Sequence, residues 1–321
     1  MIVTLTPNPS HDRTVTLAGH LERGAVQRAT SVTSQAGGKG VNISRAAVTA
    51  GIETLAVLPA PDDDPFVLEL RAAHIDCLPV PTDGGDLRVN ITVTEPDGTT
   101  TKLNSPGPTA TPDVLAGLAD ALHDRTGSAD WVVLAGSLPP GAPTEWYATL
   151  VAGLADTGAR IAVDTSDGPL QALVDRLEVA APSLMKPNGH ELASFTGHDG
   201  DALEADPSAA ARAAAELVGR GVDAVLVTLG AHGAVLVTAD GAWHGTPPPT
   251  EVVSTVGAGD SSLFGYLLAD LRDLPPADRV ALAVAYGSAA AGLPGTTIPT
   301  PDQVDPGRVV VQALDVTTGR G

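Results

Sequence analysis

The sequence predicts an α/β protein with a mostly parallel sheet, helices on both of its faces, and a small antiparallel β unit. Short runs rich in β-branched residues alternate with longer amphipathic stretches rich in Ala and Leu, the order expected of strands and crossover helices. The strand candidates carry little charge, as strands covered on both faces should. Two other stretches alternate polar and apolar residues, which is typical of strands with one exposed face.

Six buried parallel strands are predicted, each bounded by Gly, Pro or Asp, over residues 2–5, 55–58, 131–134, 161–163, 224–228 and 234–237. Helical spacing of apolar residues predicts helices over 41–50, 112–123, 144–157, 208–220, 261–271 and 277–291. No strong pattern marks the tail beyond residue 307, which we expect only to pack or fray.

The polar and apolar alternation falls within residues 14–34 and 86–104, and Pro96-Asp97-Gly98 is a hairpin-turn signal between two strands. A small antiparallel sheet inserted into an α/β core suits a lid or a dimer surface, and a surface ribbon without function is the alternative. Because an exposed ribbon with apolar alternation needs cover, we expect a homodimer formed through it.

Composition and charge narrow the classes of function. The 321 residues carry a formal net charge of −20, which repels nucleic-acid phosphates and anionic lipid headgroups, so neither partner is expected. Cys77 is the only cysteine, which excludes an intrachain disulfide. The first residues lack the pattern of a signal peptide, and no apolar run approaches the roughly 20 residues that span a bilayer, so a cytoplasmic protein is predicted.

The strongest local signal is Gly257-Ala258-Gly259-Asp260, which directly precedes an apolar helix. Small residues here let successive N–H groups point into one space at a helix N-terminus, which favours a phosphate. A phosphate bound in this hollow would repel a neighbouring aspartate, so an aspartate is expected there only if it takes part in the chemistry. We predict that Asp260 accepts a proton from an attacking hydroxyl. The alternative is a helix cap after a glycine turn.

A second glycine-rich turn, Gly37-Gly38-Lys39-Gly40-Val41-Asn42, also precedes a predicted helix. It is not a P-loop, because that motif has Ser or Thr directly after its Lys, whereas Gly40 and Val41 follow Lys39 here. On so acidic a chain, a phosphorylated substrate needs a local group of cations. We expect Lys39 to provide it together with Arg88, Arg28 or Lys102.

Seven segments in this order resemble the PfkB (ribokinase-like) sugar kinases, and within them the bacterial 1-phosphofructokinases. The segments lie at 6–12, 37–42, 88–90, 136–139, 186–191, 229–233 and 254–260. The resemblance covers nearly the whole chain and implies a single ribokinase-like domain over residues 1–321, with a β-lid inserted at about 11–34 and 86–106.

Carried over by position, the resemblance implies that Asp260 is the catalytic base and that Gly257, Ala258 and Gly259 form the anion hole for the transferred phosphoryl group. A backbone cradle, Mg²⁺ and an aspartate aligned with the acceptor hydroxyl suffice for phosphoryl transfer, which is mostly positioning and charge stabilisation.

The resemblance also implies a sugar-phosphate site. Asp12 and Asn42 would bind sugar hydroxyls, while a turn aspartate and a first-turn asparagine are the alternatives without the resemblance. The positions implied as substrate-binding are Asp12, Gly37, Gly38, Lys39, Asn42, Arg88, Asn90 and Ser137, of which Lys39, Arg88 and Asn90 would hold the phosphate already on the sugar.

For ATP, the resemblance implies contacts to the phosphates and the magnesium shell from Lys186, Asn188 and Glu191, with the last two holding Mg²⁺ through water. A capping arrangement is the alternative for Asn188. Thr228, Gly230 and Gly233 would approach the nucleotide, and the stretch 286–295 would border the adenine. Val256 and Ser254 match positions that bind a monovalent cation in some relatives, so binding of K⁺ is a hypothesis.

The resemblance thus implies an ATP- and Mg²⁺-dependent kinase that converts D-fructose 1-phosphate to D-fructose 1,6-bisphosphate. Tagatose-6-phosphate kinase and 6-phosphofructokinase are the alternatives, because these substrates differ only in the position of the phosphate and one stereocentre. A sensor that binds a sugar phosphate and transfers nothing is the alternative from another class, and the retained Asp260 and glycines count against it.

Overall fold

The computed structural model describes residues 1–82 and 85–316. Within them, ten strands form one large sheet: β1 (Ile2–Leu5), β4 (Thr54–Pro59), β5 (Asp76–Val80), β8 (Trp131–Ala135), β9 (Arg160–Asp164), β10 (Leu184–Met185), β11 (Ala224–Thr228), β12 (Ala234–Thr238), β13 (Gly241–Thr246) and β14 (Val310–Leu314). Their order is β14-β13-β12-β11-β10-β9-β8-β1-β4-β5, and the seven strands from β11 to β5 are parallel. The predicted parallel core is therefore confirmed.

Helices cover both faces of this sheet: α1 (Lys39–Thr49), α2 (Pro65–Ala72), α3 (Pro112–Thr126), α4 (Trp146–Leu154), α5 (Asp167–Val174), α6 (Gly189–Thr196), α7 (Gly200–Ala205), α8 (Pro207–Gly219), α9 (Ala258–Leu271) and α10 (Pro276–Ala291). Successive residues of a strand point to opposite faces, so Val3 lies in the core that includes α3, α4 and α8, whereas Ile2 lies in the core that includes α1, α9 and α10. The two cores are almost entirely aliphatic, as the scarcity of aromatic residues requires.

The edge at β12 to β14 differs from the prediction. Residues 234–237 were expected to be parallel, but β12 is antiparallel to β11, with Val225 opposite Val237. Only residues 229–233 join the two strands, and a parallel crossover needs a dozen or more. The tail beyond 307 does not simply fray, because β14 pairs antiparallel with β13. Its edge position leaves most of its side chains exposed, which is why its sequence pattern is weak.

The predicted β unit is a sheet of four strands: β2 (Ser10–Leu17), β3 (Ala29–Gly37), β6 (Arg88–Thr94) and β7 (Thr100–Leu103), in the order β3-β2-β6-β7. We call it the small sheet. Both outer pairs are antiparallel, as predicted, and the central pair β2 and β6 is parallel. The β6–β7 turn closes where Gly98 donates to the Glu95 carbonyl at 3.0 Å.

The topology brings together the loops that follow β1, β8, β9, β10 and β11, because parallel strands end at one edge of the sheet. The first turns of α1 and α9 reach the same edge, and the small sheet emerges beside it. Among the described helices, none has the length and apolarity needed to cross a bilayer.

Candidate active site

Asp260 lies in the first turn of α9, and its side chain is buried. The helix starts at Gly257, whose φ of 79° is in the left-handed region that glycine adopts without strain. The Asn42 amide on α1 donates to Asp260 Oδ2 at 2.8 Å. Burial, followed by the charge of Asp164, raises the pKa of Asp260 to about 6. The carboxyl is thus tuned towards the pH range in which a general base works.

Asp164, the last residue of β9, is the charge centre of this region. Its Oδ1 lies 2.7 Å from Lys39 Nζ, and its Oδ2 lies 3.3 Å from Lys186 Nζ. The Asp164 carboxylate and the Lys186 side chain are buried, whereas the Lys39 side chain is 35% exposed. Lys39 therefore keeps access to the open side of the site.

The charges in this group stabilise one another. Burial alone would raise the pKa of Asp164, but the charges of Lys186 and Lys39 and their hydrogen bonds outweigh it and hold the pKa below its usual value. Burial likewise disfavours charged Lys39, yet Asp164, Asp260 and Glu191 raise the pKa of its ammonium. Lys39 is therefore kept ionised near Asp260.

The glycine-rich turn before α1 is shaped by close approaches. Gly38 caps the helix at a φ of 123°, and a Cβ there would lie 2.6 Å from Thr6 Cγ2. A Cβ on Gly37 would collide with the Asp12 carboxylate. The absence of a side chain at Gly37 makes room for Asp12, and its absence at Gly38 makes room for Thr6.

Asp12 and Asn90 lie side by side, since the parallel register of β2 and β6 sets them opposite each other. Asn90 Nδ2 donates to Asp12 Oδ1 at 3.1 Å and to Ser10 Oγ at 3.0 Å, and Ser10 Oγ donates to the same carboxylate oxygen at 2.7 Å. This network leaves Asp12 Oδ2 for other donors, among them a sugar hydroxyl.

Arg88 begins β6, and two backbone carbonyl groups hold its guanidinium in place. Its Nε donates to the Asn8 carbonyl at 3.1 Å, and Nη1 donates to the Ser105 carbonyl at 3.3 Å. Asn8 Nδ2 in turn donates to the carbonyls of Pro106 and Leu138. These bonds place Arg88 on the same side as the loop that contains Ser137, which is exposed after β8.

On the nucleotide side, Asn188 and Glu191 form a capping box at the start of α6. Asn188 Oδ1 accepts from the Glu191 N–H at 2.7 Å, and Glu191 Oε2 accepts from the Asn188 N–H at 2.9 Å. The alternative considered for Asn188 is thus present. The capping box uses the single amide oxygen of Asn188 and one of the two carboxylate oxygens of Glu191. Glu191 still lies close enough to Lys39 to raise the pKa of that lysine.

Thr228 ends β11 and pairs through a single bridge with Asn188. Gly230 and Gly233 flank the short 3₁₀ turn Gly230–His232. A Cβ on Gly233 would collide with the Gly245 carbonyl, so close strand packing explains this glycine without a ligand.

The remaining predicted positions are near the start of α9. The Val256 N–H donates to Ser254 Oγ at 3.2 Å, and Ser254 Oγ donates to the Gly295 carbonyl at 3.1 Å. Within the stretch 286–295, the Tyr286 ring is buried against Phe264 at a centroid distance of 5.2 Å. Tyr286 therefore belongs to the core, and only later residues of the stretch can border a ligand.

Sequence reasoning missed the role of Asp164. Its signal was present, because a charged residue directly follows the uncharged run 161–163, at the edge where ligands bind in open α/β sheets. Asn8 was also missed as the residue that joins Arg88 to the loop after β8, and no local pattern distinguishes it.

Three comparisons place the molecule among known proteins. The family model described as pfkB family carbohydrate kinase matches residues 8–303. A 1-phosphofructokinase from Xanthomonas campestris is 37% identical over 289 residues, which are 88% of each chain. Phosphofructokinase-2 from Escherichia coli, solved with substrates and products, superposes with a TM-score of 0.85 at 29% identity and covers 94% of this chain and 96% of its own.

Ribokinase from Thermotoga maritima shares the fold at a TM-score of 0.71 and 17% identity, covering 94% of this chain and 97% of its own. The predicted ribokinase-like architecture and the predicted enzyme class are therefore confirmed. The chain belongs to the PfkB family of carbohydrate kinases, which are phosphotransferases with an alcohol group as acceptor.

Proposed function

We propose that this kinase phosphorylates D-fructose 1-phosphate to D-fructose 1,6-bisphosphate at the expense of ATP, with Asp260 as the catalytic base. The observation that carries the proposal is a buried carboxyl with a pKa of about 6 at a helix N-terminus, within a cluster that contains Lys39 and Lys186. The helix start itself favours a carboxylate, but a phosphate bound there would repel Asp260, and the two lysines offset that repulsion.

In the proposed reaction, Asp260 accepts the proton of the attacking hydroxyl as the oxygen approaches the γ-phosphorus. The N–H groups of residues 257–259 and the Lys186 ammonium receive the negative charge of the transferred group. Gly259 suits this role because even a Cβ there would lie 3.4 Å from Lys186 Nζ, in the space that the phosphoryl oxygens need.

The residues around Glu191 fit a magnesium ion held through water. Mg²⁺ prefers oxygen ligands and retains several waters, and the capping box engages only one oxygen of the Glu191 carboxylate. Asn188 is a weaker ligand for the ion, because its Oδ1 already accepts a hydrogen bond from the Glu191 N–H. When bound there, the ion would offset charge on the ATP phosphates. The proposed nucleotide contacts are Thr228, Gly230, Gly233 and the part of the stretch 286–295 that follows the buried Tyr286.

The sugar-phosphate side is proposed at the small sheet. Asp12 and Asn42 would take sugar hydroxyls, and Lys39, Arg88 and Asn90 would take the existing phosphate, with Ser137 at the exposed edge. The 1-phosphate is favoured because the relative with 37% identity is named 1-phosphofructokinase. The second candidate is fructose 6-phosphate, with which phosphofructokinase-2 from Escherichia coli has been solved.

Three further features belong to the proposal. Potassium near Ser254 and Val256 is supported by a potassium complex of the Escherichia coli enzyme, and replacing sodium by potassium in the assay tests it.

A homodimer through the small sheet is supported by exposed Val32 and Leu103 on its outer strands, and light scattering at micromolar concentration tests it. We also propose a cytoplasmic, single-domain enzyme, in accordance with the composition.

The decisive experiment measures ADP release with MgATP and, separately, fructose 1-phosphate, fructose 6-phosphate and tagatose 6-phosphate. We expect a preference for fructose 1-phosphate of at least about a hundredfold in kcat/KM, or roughly 2.7 kcal/mol. Preference for a 6-phosphate would refute fructose 1-phosphate as the substrate, but it would not refute phosphoryl transfer from ATP with Asp260 as the base. The Asp260→Asn variant is the control for the base and should lose several orders of magnitude in turnover. Sugar binding by the wild-type chain without turnover would instead indicate the sensor.

A further inference from the structure

The two hairpin loops of the small sheet meet at a group of side chains that can ligate a metal and that lie outside the active-site motifs. His20 lies in the loop between β2 and β3, while Glu95 and Asp97 lie in the turn between β6 and β7. His20 Nδ1 is 2.9 Å from Glu95 Oε2 and 3.8 Å from Asp97 Oδ2. The three donor atoms all lie within 4.8 Å of one another.

These separations suit a tetrahedral ion. With bonds of about 2.0 Å, two ligands of Zn²⁺ are roughly 3.3 Å apart, between the two distances from His20 Nδ1. The donor set is one imidazole nitrogen and two carboxylate oxygens, which suits zinc and related divalent transition metals better than Mg²⁺ or Ca²⁺. A water molecule would complete the coordination.

Two bonds hold the loops without using the metal-facing atoms. Asp97 Oδ1 accepts from the Thr99 N–H at 3.0 Å, which leaves Oδ2 directed towards His20. The His20 carbonyl accepts from Gln27 Nε2 at 2.7 Å, which fixes the backbone of the loop. His20 Nδ1 and Glu95 Oε2 are joined by a 2.9 Å hydrogen bond, which a bound ion would replace. The Glu95 side chain is only 9% exposed, whereas that of His20 is 75% exposed. One carboxylate is thus largely withdrawn from water, and the entry path is open.

We propose that His20, Glu95 and Asp97 form a Zn²⁺-type metal site that joins the two hairpin loops of the small sheet. Nearby, Thr94 Oγ1 and Thr16 Oγ1 are already 3.3 Å apart, so the two loops need little movement to share one ion. Because β2 carries Asp12 and β6 carries Arg88 and Asn90, the ion would link the far ends of the strands that line the proposed sugar site. The metal site does not depend on the identity of the sugar.

The test uses the full chain without nucleotide and titrates it with Zn²⁺ by calorimetry and with Co²⁺ by visible absorption. We expect one ion per chain and a tetrahedral cobalt spectrum. Because loss of even an outer-shell partner costs roughly 10- to 100-fold in metal affinity, His20→Ala and Asp97→Asn should each weaken binding about a hundredfold. His198→Gln removes an exposed histidine just after α6 and should leave binding unchanged.

Equal affinity in His20→Ala and the wild type, or no binding by the wild type at micromolar Zn²⁺, would overturn the proposal. Amide hydrogen exchange supplies a second measurement. Zn²⁺ should slow exchange in both 18–28 and 95–99, and protection confined to one loop would also overturn it, since a joined site must restrain both. His20 is outside the catalytic and binding residues, so metal-free His20→Ala should retain the unfolding midpoint and basal turnover of the wild type.

Discussion

Asn42 Nδ2 donates to Asp260 Oδ2 at 2.8 Å, although 218 residues separate them in the chain. The bond joins the first turns of α1 and α9, and it opposes the burial that raises the pKa of Asp260. Asn42, in the glycine-rich turn at 37–42, therefore lowers the pKa of Asp260 in the Gly-Ala-Gly-Asp segment.

Activity should depend on pH through this carboxyl. Since a base must be ionised and the pKa of Asp260 is about 6, kcat/KM should fall as the pH drops below about 6. In Asn42→Ala the lost hydrogen bond no longer favours the carboxylate, so the acid limb should move to higher pH by about one pH unit. A full pH profile of both proteins checks this, and an unmoved limb would separate Asn42 from the ionisation of the base.

Asp260→Asn should be more stable than the wild type at high pH. The folded-state pKa of about 6 lies above the usual 3.8, so ionised Asp260 costs stability above pH 6, and this cost disappears as the pH falls towards 4. The variant should gain up to about 3 kcal/mol in the free energy of unfolding at pH 8 and less at pH 5. Urea unfolding at both values measures it. A gain that is larger at pH 5 would contradict the sign.

Asp164→Asn should destabilise the fold strongly. It leaves Lys186 buried and Lys39 without its carboxylate partner, and removing one member of a buried ion pair costs about 3–5 kcal/mol. Because its folded pKa is lowered, the wild-type contribution is present at neutral pH and lost in acid. Asp120→Asn on the exposed side of α3 is the control and should change stability by less than about 0.5 kcal/mol. Similar unfolding curves for the two variants would refute the role of Asp164.

Gly259→Ala should reduce turnover with little change in stability. Alanine is acceptable in the first turn of α9, but its Cβ enters the space beside Lys186 Nζ. We expect at least about a tenfold fall in kcat, since a displacement of an ångström at a positioned site has effects of this size. Gly153→Ala in α4, where a Cβ has nothing within 4 Å, should leave kcat unchanged and stabilise slightly. Equal kcat in both variants would remove residue 259 from the phosphoryl cradle.

Arg88→Ala should raise the KM for the sugar phosphate roughly tenfold or more and leave the KM for ATP nearly unchanged, because a charged hydrogen bond contributes about 1.5–3 kcal/mol. Arg125→Ala is the matched control, since Arg125 is an exposed arginine in the last turn of α3. Steady-state kinetics with each substrate varied in turn decides between them. A comparable rise in both KM values for Arg88→Ala would move this arginine out of the sugar site.

The sequence alone determined the α/β class, because buried strands and amphipathic helices leave different periodicities in a chain. It also determined the motif segments, since a helix start that holds a phosphate needs small residues in a fixed order before the acidic one. Lys39 and Asp260 were predicted for this reason, each within a short segment whose spacing has chemical meaning, whereas Asp12 was implied only by the family resemblance.

Only the tertiary structure decided which of these residues meet. Asp164 pairs with Lys39 and Lys186 because β9 ends beside the loops after β3 and β10, and strand order is set by crossovers that no local pattern records. Local sequence pattern also does not record three other contacts: the pairing of β14 with β13, the antiparallel pairing of β12 with β11, and the contact of His20 with Glu95. Each depends on contacts between distant segments, whose free energy comes from shared burial and charge.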